Sequence, residues 1–508
     1  MKSVFILIFI LIIRCGVRDI DVLMIGEGTY PYVRGGVSSW IHQLITGMPD
    51  INFGIVFMGS LRKDYGEIKY ELPENVVYQK EFFLFEKADL PDVKRIDLKN
   101  KFYNEIENIH TFFKQKSEFK TFTDSLLEVI SKFRLEDLLY SDTAWNFVTD
   151  QYKKDYTNEA FIDFFWTIRN MHIPLWVIFN ELKDIKLPKL IHTPSTGYAG
   201  FLGGLLKAQT QIPLILTEHG IYVRERKIDL LTSDIFTERL PEILKTEEEG
   251  DTIKDLWNRF FMSLGKFCYE MSDEIYSLYS KAREIQIAYG ADEKKCRVIP
   301  NGVNVNRLKK SLEQRSKKIP QIIGLIGRVV PIKDIKTFIK AIKIVTDKLP
   351  DAQGWIVGPT EEEPEYFQEC QNLVQILGIE KNIKFLGFQN IMDIFPKIAI
   401  NTLTSISEGM PLSVLEGFAA GVPAVSTDVG ACRDLIYGGL NEEDINIGKA
   451  GYICKVADTK DIADKYIKLL TDEKLWYLFQ EAALKRVNKF YTQEQFLQNY
   501  KDVYEEFI

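Results

Sequence analysis

The chain has 508 residues, enough for roughly two to four domains of ordinary size. It carries 64 basic and 72 acidic residues, and a net charge of −8 argues against a nucleic-acid-binding protein. Hydrophobic residues make up 46% and aromatic residues 12%, which excludes wholesale disorder. The six cysteines stand far apart, so a disulfide scaffold and a structural zinc site are disfavoured and a reducing compartment fits best.

The chain opens with an apolar leader, residues 1–18. Its core, residues 4–13, is ten consecutive apolar residues, whereas a membrane-spanning helix needs about 20. Arg14, Cys15 and Gly16 do not form the small-residue cleavage site of a secretory signal. We expect a misassigned start, with Val17 as an alternative initiator. A short membrane-touching tail and true export are the other interpretations.

Residues 19–304 are predicted to form a first domain in which strands and helices alternate. The apolar run 21–25 is typical of a buried parallel strand, and a glycine-rich loop follows at 26–36. The next segment predicts a helix whose apolar face is Trp40, Ile41, Leu44 and Ile45. Further strands are expected at 53–58, 190–192, 214–217, 274–276 and 297–299.

A stretch from about 80 to 172 departs from this alternation, because it is long, helix-prone and dense in aromatic residues. We interpret it as a helical insertion packed on the first domain. Its aromatic side chains are expected to lie mostly in the core. An acceptor-binding surface formed by some of them is the alternative.

A second domain is expected over residues 305–489. Residues 300–304, Pro-Asn-Gly-Val-Asn, predict a turn, and the charged stretch 307–318 predicts a loop at the domain boundary. Strands are predicted at 322–326, 354–357, 383–386, 398–402 and 424–426, and helices after the cap Asp334, at 366–377 and from about 411. Residues 490–508 should form a helix that packs back on the first domain. The pattern predicts an α/β fold of two Rossmann-like, doubly wound domains that face each other across a cleft.

The most informative chemical pattern lies in residues 405–427. Gly409 allows a ligand to approach the backbone closely, and Pro411 suits the first position of a helix. The free amides at such a helix start attract an anion. Glu408 and Glu416 are eight residues apart, about two helical turns, so both carboxylates can reach one ligand. Because carboxylates bind sugar hydroxyls, this spacing indicates a sugar nucleotide.

Two cations follow the first strand of the second domain. Arg328 comes directly after the predicted strand end, and Lys333 stands just before the next helix. Doubly wound sheets bind ligands at the carboxyl ends of their strands. Arg328 and Lys333 could therefore neutralise a diphosphate leaving group there.

These segments resemble the retaining glycosyltransferases of family 4, which have the GT-B fold of two Rossmann-like domains. The resemblance rests on the E-x7-E pair Glu408/Glu416, the Gly-Met-Pro run 409–411, the G-R-x4-K element with Arg328 and Lys333, and residues 300–304. In the first half, residues 21–40 and 217–226 resemble the PelF-type glycosyltransferases of Pel exopolysaccharide synthesis. The resemblance covers nearly everything after residue 19.

The resemblance implies a role for each matching residue of the second domain. Arg328 and Lys333 would bind and stabilise the donor diphosphate. Glu408 would contact the donor sugar and phosphates, together with the backbone of Gly409, Met410, Pro411 and Leu412. Glu416 would hold the ribose hydroxyls.

In the first domain, the resemblance implies that Gly35 and Gly36 form a loop that closes on the donor. His219 would bond the 6-hydroxyl of the donor sugar, and a structural histidine is the alternative. The remaining histidines, His42, His110, His172 and His192, are expected to be structural. The charged run 224–226 could contact a substrate or be solvated, and Asp19 and Asp21 are rejected as a metal site because they open the first strand.

The implied reaction moves a sugar from a UDP-sugar to a saccharide acceptor with retention, without a metal or other cofactor. It would serve a growing polysaccharide of the Pel type, in the biofilm matrix. The enzyme would be cytoplasmic, beside inner-membrane synthesis and export proteins, and without a nucleic-acid partner. The open alternatives are a retaining transferase for another glycan or glycolipid, a phosphorylase that uses pyridoxal phosphate, and a catalytically silent GT-B scaffold.

Overall fold

The computed structural model describes residues 19–86, 100–116, 118–232, 252–316 and 318–508. These residues form two compact units. The first unit takes the described residues up to Tyr276, together with Ile285–Arg297 and Asp502–Ile508. The second unit takes Ser277–Glu284 and Val298–Lys501.

A seven-stranded sheet forms the centre of the first unit. Its strands are β1 Val22–Glu27, β2 Phe53–Gly59, β3 Val76–Phe83, β4 Leu190–Thr193, β5 Leu214–Glu218, β6 Glu274–Ser277 and β7 Cys296–Val298, in the order β3-β2-β1-β4-β5-β6-β7. The pairs from β3 through β5 are parallel. Strands β1 and β2 are buried almost throughout, because parallel sheets are covered on both faces. All six predicted strands are present.

The helices of the first unit lie between these strands along the chain. They are α1 Gly36–Gly47, α2 Asn100–Phe113, α3 Phe119–Lys132, α4 Leu135–Tyr140, α5 Asp142–Asp155, α6 Phe161–Glu181, α7 Tyr198–Thr210, α8 Tyr222–Thr232 and α9 Ile253–Met271; α10 Ser280–Ala288 lies at the unit boundary. Helix α1 buries Trp40, Ile41, Leu44 and Ile45, which confirms the predicted apolar face.

Helices α2 to α6 occupy most of the predicted insertion, but both ends of the insertion differ from the prediction. Residues 80–83 belong to strand β3, where charged Lys80 and Glu81 on a half-exposed strand obscured the strand pattern. Helix α6 continues past residue 172 to Glu181, running through Pro174. The core interpretation of the aromatic residues is confirmed for a buried set: Phe82, Phe102, Phe112, Phe113 and Phe164.

The second unit has a six-stranded parallel sheet. Its strands are β8 Ile322–Ile326, β9 Gln353–Val357, β10 Ile383–Gly387, β11 Ile400–Leu403, β12 Ala424–Thr427 and β13 Gly451–Cys454, in the order β10-β9-β8-β11-β12-β13. This is the 3-2-1-4-5-6 order of a doubly wound sheet. The chain therefore reverses its direction of winding between β8 and β11, where such sheets bind ligands.

The helices of the second unit are α11 Val305–Glu313, α12 Ile335–Lys348, α13 Pro364–Ile376, α14 Ile391–Ile394, α15 Leu412–Ala419, α16 Cys432–Tyr437, α17 Glu442–Asn446, α18 Thr459–Thr471, α19 Glu473–Phe490 and the start of α20 Gln493–Glu505. Helix α11 corrects the prediction of a loop over residues 307–318. Its buried residues Val305, Leu308 and Ser311 recur every three positions, and the charges between them face solvent.

The final helix, α20, carries Tyr504 into the first unit. The Tyr504 hydroxyl is 2.7 Å from Nδ1 of His192 on strand β4. No helix in the described ranges is long and apolar enough to cross a membrane.

Candidate functional site

The predicted cation Lys333 lies at the carboxyl end of strand β8. It ends a short 3-10 turn, Pro331–Lys333, and the next residue, Asp334, caps helix α12. Asp334 adopts a left-handed backbone (φ 45°), and its side chain accepts a hydrogen bond from the Thr337 amide. This cap fixes the turn and with it the base of the Lys333 side chain.

Lys333 and Glu408 form an ion pair at the switch point of the second sheet. The Lys333 Nζ lies 2.5 Å from Glu408 Oε1, and the Ser405 hydroxyl donates to the same oxygen at 2.5 Å. The two charged side chains are only 18% and 10% exposed. Partial burial strengthens such a pair, because the surrounding dielectric is lower than that of water. Two predicted site residues are thus brought together.

Backbone hydrogen bonds fasten the two loops that carry this pair. The Thr404 hydroxyl donates to the backbone oxygens of Lys333 (2.9 Å) and Asp334 (3.0 Å). The Ile406 amide donates to the Ile332 oxygen at 2.9 Å. The β8 and β11 loops are therefore held together by the protein itself, so the ion pair is preorganised.

A third loop supports the residues after Glu408. Gly430 has a positive φ of 52°, and a methyl group there would lie 2.2 Å from the Gly409 oxygen and 2.4 Å from the Glu408 oxygen. The Ala431 amide donates to the Gly409 oxygen at 2.9 Å. This close backbone approach accounts for a glycine at position 430.

Helix α15 begins at Leu412, directly after this loop, and Pro411 is its N-cap rather than its first helical residue. Met410 is held from the other side by Asn301, whose amide Nδ2 donates to the Met410 oxygen at 3.4 Å. Because the first amides of a helix lack partners within the helix, this helix start is suited to an anion.

Glu416 lies one turn farther along α15, in a half-buried position. Burial raises the pKa of its carboxyl to about 7, and the nearby Arg307 guanidinium opposes that rise. Among the described residues, none donates a hydrogen bond to this carboxyl group. Its hydrogen-bonding capacity is available to a ligand.

Arg328 is not part of this cluster. Its guanidinium donates to the Glu362 carboxylate at 2.6 Å, and both side chains are about half exposed (47% and 44%). Exposed pairs of this kind contribute little to stability. Its role toward a diphosphate stays a prediction.

Gly35 and Gly36 lie at the start of helix α1 in the first unit. Gly35 is extended (φ 176°), a conformation open to any residue. A methyl group at either position would meet no described atom within 4 Å. The described fold therefore gives no steric reason for two glycines here.

His219 follows the end of strand β5. Its ring stands edge-on to Trp40, with centroids 4.5 Å apart, and its Nε2 atom is buried without a hydrogen-bond partner among the described residues. Desolvation lowers the pKa of His219 to about 3, so its ring is neutral at neutral pH. A neutral imidazole can donate or accept one hydrogen bond at this nitrogen.

Two carboxylates of the first unit were not singled out from the sequence. Glu27 ends β1 and accepts from the amide of Tyr198 (2.9 Å), at the start of helix α7. Glu218 ends β5 and is 1% exposed, with the Tyr269 hydroxyl at 2.7 Å. Burial raises the pKa of both carboxyls. The sequence signal that could have identified them is an acidic residue at the last position of an apolar run.

The other four histidines each contact another polar side chain of the described fold, and their structural role stays a prediction. His192 is fully buried, with Tyr504 and the Thr217 hydroxyl (2.8 Å) on its two nitrogens. His110 and His172 are both buried, and His172 Nε2 lies 3.5 Å from His110 Nδ1. The Nδ1 atom of His42 lies 3.2 Å from the Tyr30 hydroxyl. No group of three metal-ligating side chains is found within the described part of the chain.

Two family profiles match this chain. Residues 20–294, more than half of the chain, match a domain of unknown function, DUF3492. The chain belongs to the DUF3492 family. Residues 306–486 match glycosyl transferases group 1, so the second unit of this DUF3492 protein carries a group 1 domain. Lys333, Glu408 and Glu416 all lie within that match.

Among curated proteins, N-acetyl-alpha-D-glucosaminyl L-malate synthase of Bacillus anthracis is 29% identical over 238 residues, 46% of this chain and 57% of that enzyme. CapM of Staphylococcus aureus, a capsular polysaccharide biosynthesis glycosyltransferase, is 30% identical over 180 residues. That match covers 34% of this chain and 43% of CapM. The chain thus spans about half the length of these relatives.

Solved structures resemble the whole DUF3492 chain at low sequence identity. Anabaena Alr3699/HepE in complex with UDP and glucose has a TM-score of 0.57 at 13% identity, covering 96% of this chain and 99% of that one. Sucrose-phosphate synthase of Thermosynechococcus elongatus has a TM-score of 0.57 at 15% identity, with the same coverage. The predicted fold class, two Rossmann-like domains of the GT-B type, is confirmed.

Proposed function

We propose that this protein is a retaining glycosyltransferase that transfers a sugar from a UDP-sugar to a growing polysaccharide. The Lys333–Glu408 pair at the start of helix α15 carries the proposal. It puts a cation and a carboxylate together at the switch point of a doubly wound sheet. Glu408 lies four residues before helix α15, whose first amides would attract the phosphates of a nucleotide sugar. The structure of Alr3699/HepE with UDP supports a uridine donor.

In the proposed reaction, the Lys333 ammonium exchanges its ion pair with Glu408 for one with the diphosphate when the donor binds. The cation then stabilises the negative charge that develops on the leaving group. Glu408, released from Lys333, is free to accept hydrogen bonds from hydroxyls of the transferred sugar. Glu416 would accept from the ribose hydroxyls, and His219 would bond a hydroxyl of the donor sugar.

We further propose a Pel-type exopolysaccharide as the product, by the resemblance of residues 21–40 and 217–226. The relatives named for exopolysaccharide and capsular polysaccharide chemistry support a polysaccharide more generally. The reaction would need no metal ion, with Lys333, Arg328 and the α15 amides balancing the charge of the diphosphate. Catalysis would take place in the cytoplasm, beside membrane proteins of synthesis and export.

The test is Lys333→Ala, with Lys336→Ala as the matched control. Lys336 stands three residues away on α12 and pairs with exposed Glu369 at 2.6 Å, outside the cluster. UDP-glucose, UDP-N-acetylglucosamine and UDP-N-acetylgalactosamine are screened by calorimetry, and turnover is followed by UDP release. We expect Lys333→Ala to lose about 100-fold or more in turnover, and Lys336→Ala to match the wild type. Near-wild-type turnover of Lys333→Ala would exclude the proposed mechanism.

Two further measurements separate the parts of this proposal. The anomeric configuration of the product, read by NMR, distinguishes retention from inversion. Full activity in excess chelator supports metal independence, and loss that Mg²⁺ restores contradicts it.

A further inference from the structure

Two tryptophan side chains of the helical insertion are exposed to solvent. Trp145 on helix α5 is 52% exposed, Trp166 on helix α6 is 53% exposed, and Ile162, also on helix α6, is 57% exposed. The buried aromatic residues of the same helices belong to the hydrophobic core, whereas Trp145, Ile162 and Trp166 do not. Isolated exposed apolar residues are ordinary, whereas a cluster of them marks a binding surface.

The two indoles belong to one continuous aromatic cluster. The Trp145 ring centroid lies 5.8 Å from Phe161 and 6.1 Å from Phe165, and Phe165 lies 5.4 Å from Trp166. Phe161 and Phe165 are half-buried against the core of the first unit. The Arg169 guanidinium covers Phe165 at 5.0 Å. The exposed rings therefore rest on a packed base, which reduces the entropy lost when a ligand binds.

On helices α5 and α6, the polar side chains near the tryptophans in sequence include groups that bind hydroxyls. Within four residues of either tryptophan on its helix, the ionisable side chains are Asp142, Asp163 and Arg169. Arg169 already donates to the Leu139 oxygen at 2.6 Å. Asp163 and the amides Asn146 and Asn170 are exposed on these two helices. This rim would repel an anionic membrane surface and offers acceptors and donors to an uncharged polyhydroxyl ligand.

We propose that Trp145 and Trp166 form a saccharide-binding surface for an uncharged glycan chain, separate from the sites of the transferred sugar and its nucleotide. One face of a pyranose ring carries only C–H groups, whose small positive charge suits the negative face of an indole. The hydroxyls at the ring edge bond to Asp163 and to the amides Asn146 and Asn170. The inference rests on the proposed function, in which the acceptor is a saccharide.

Such a surface retains the chain between transfers. A glycan held at a second point on the same protein has a raised effective concentration at the acceptor site. A monosaccharide or disaccharide is too short to be held at two points. The surface should therefore lower the KM for long acceptors and leave short ones unaffected.

Binding is tested directly with maltohexaose and N-acetylchitohexaose, by calorimetry on the full chain. We expect Trp145→Ala/Trp166→Ala to weaken binding of the better hexasaccharide at least fivefold. Trp145→Phe/Trp166→Phe should keep most of it, because phenyl rings also stack. Leu478→Ala, at a 60% exposed apolar residue on helix α19, is the control and should bind as the wild type does. Unchanged binding in the double alanine variant overturns the proposal.

Activity and association separate this inference from the proposed function. UDP binding and transfer to a disaccharide should be unchanged in the double alanine variant, while the KM for a long acceptor rises. If the wild type transfers no sugar yet binds a hexasaccharide through the tryptophans, the proposed function fails and the surface stands. If the tryptophans instead mediate self-association or binding to phosphatidylglycerol vesicles, and neither hexasaccharide binds, the saccharide surface is wrong.

Discussion

Replacing Glu416 by Gln should make the ligand-free protein more stable and its complex with UDP weaker. Glu416 is half-buried on helix α15, and no described residue donates a hydrogen bond to its carboxyl group. Burial raises the pKa of this carboxyl from 4.5 to about 7. A charged carboxylate at neutral pH is therefore held there at a cost to stability.

The sign and size of this cost follow from the pKa. The folded state keeps the proton to higher pH than the unfolded chain, so stability falls as pH rises from about 4.5 through about 7. A rise of about 2.5 units corresponds to roughly 3 kcal/mol above pH 7, as an upper limit for a half-buried group. Glutamine has no charge to desolvate. The variant should equal the wild type near pH 4.5 and exceed it by up to about 3 kcal/mol at pH 8.

The assay is urea unfolding at pH 5 and pH 8, with and without UDP. Trp476 is buried in the second unit and reports on its unfolding by fluorescence. UDP should stabilise the wild type more than the variant, because the variant lacks the carboxylate proposed to hold the ribose. Glu313→Gln, at an exposed acid on helix α11, serves as the control. Equal stability and an equal pH slope in wild type and Glu416→Gln would refute the reasoning.

The remaining predictions concern the buried Arg486–Asp444 ion pair and the glycines at positions 430 and 35. Arg486 and Asp444 are both fully buried, and Arg486 Nε lies 2.6 Å from Asp444 Oδ1. Arg486→Met should therefore lower the free energy of unfolding in urea by about 3–5 kcal/mol, because it leaves the Asp444 charge without its cation. A loss below about 1 kcal/mol would contradict this. Gly430→Ala should lower both the melting temperature and activity, because its methyl group would collide with the backbone at Gly409. Gly35→Ala should keep the melting temperature but weaken donor binding in calorimetry; a melting temperature lowered as much as in Gly430→Ala would show that the glycine is structural.

Local patterns predicted the elements that carry the candidate site. The strand before Arg328, the cap at Asp334 and the helix after Pro411 each depend on a few neighbouring residues, so sequence alone could place them. Helix α11 was missed because its buried face has only three residues among many charges. Strand β3 was missed because charged residues break its apolar run.

Contacts between residues that are far apart in the sequence could not be predicted from local patterns. Glu27 binds a helix start 171 positions later in the chain, and Tyr269, the partner of Glu218, is 51 positions away. The pairing of Arg328 with Glu362 depends on two loops that sequence cannot align. The Lys333–Glu408 contact was within reach only because both residues follow neighbouring strands, whose carboxyl ends lie at one edge of the sheet.

The course of the chain between the two units has a consequence for synthesis. Domains usually complete their folding in the order in which they leave the ribosome. Here the first unit includes Asp502–Ile508, and Tyr504 supplies the hydroxyl that faces His192 in its sheet. The unit that is made first therefore acquires the Tyr504–His192 contact only after residues 502–508 have been synthesised. A fragment that stops at residue 297 would leave His192 buried without that partner.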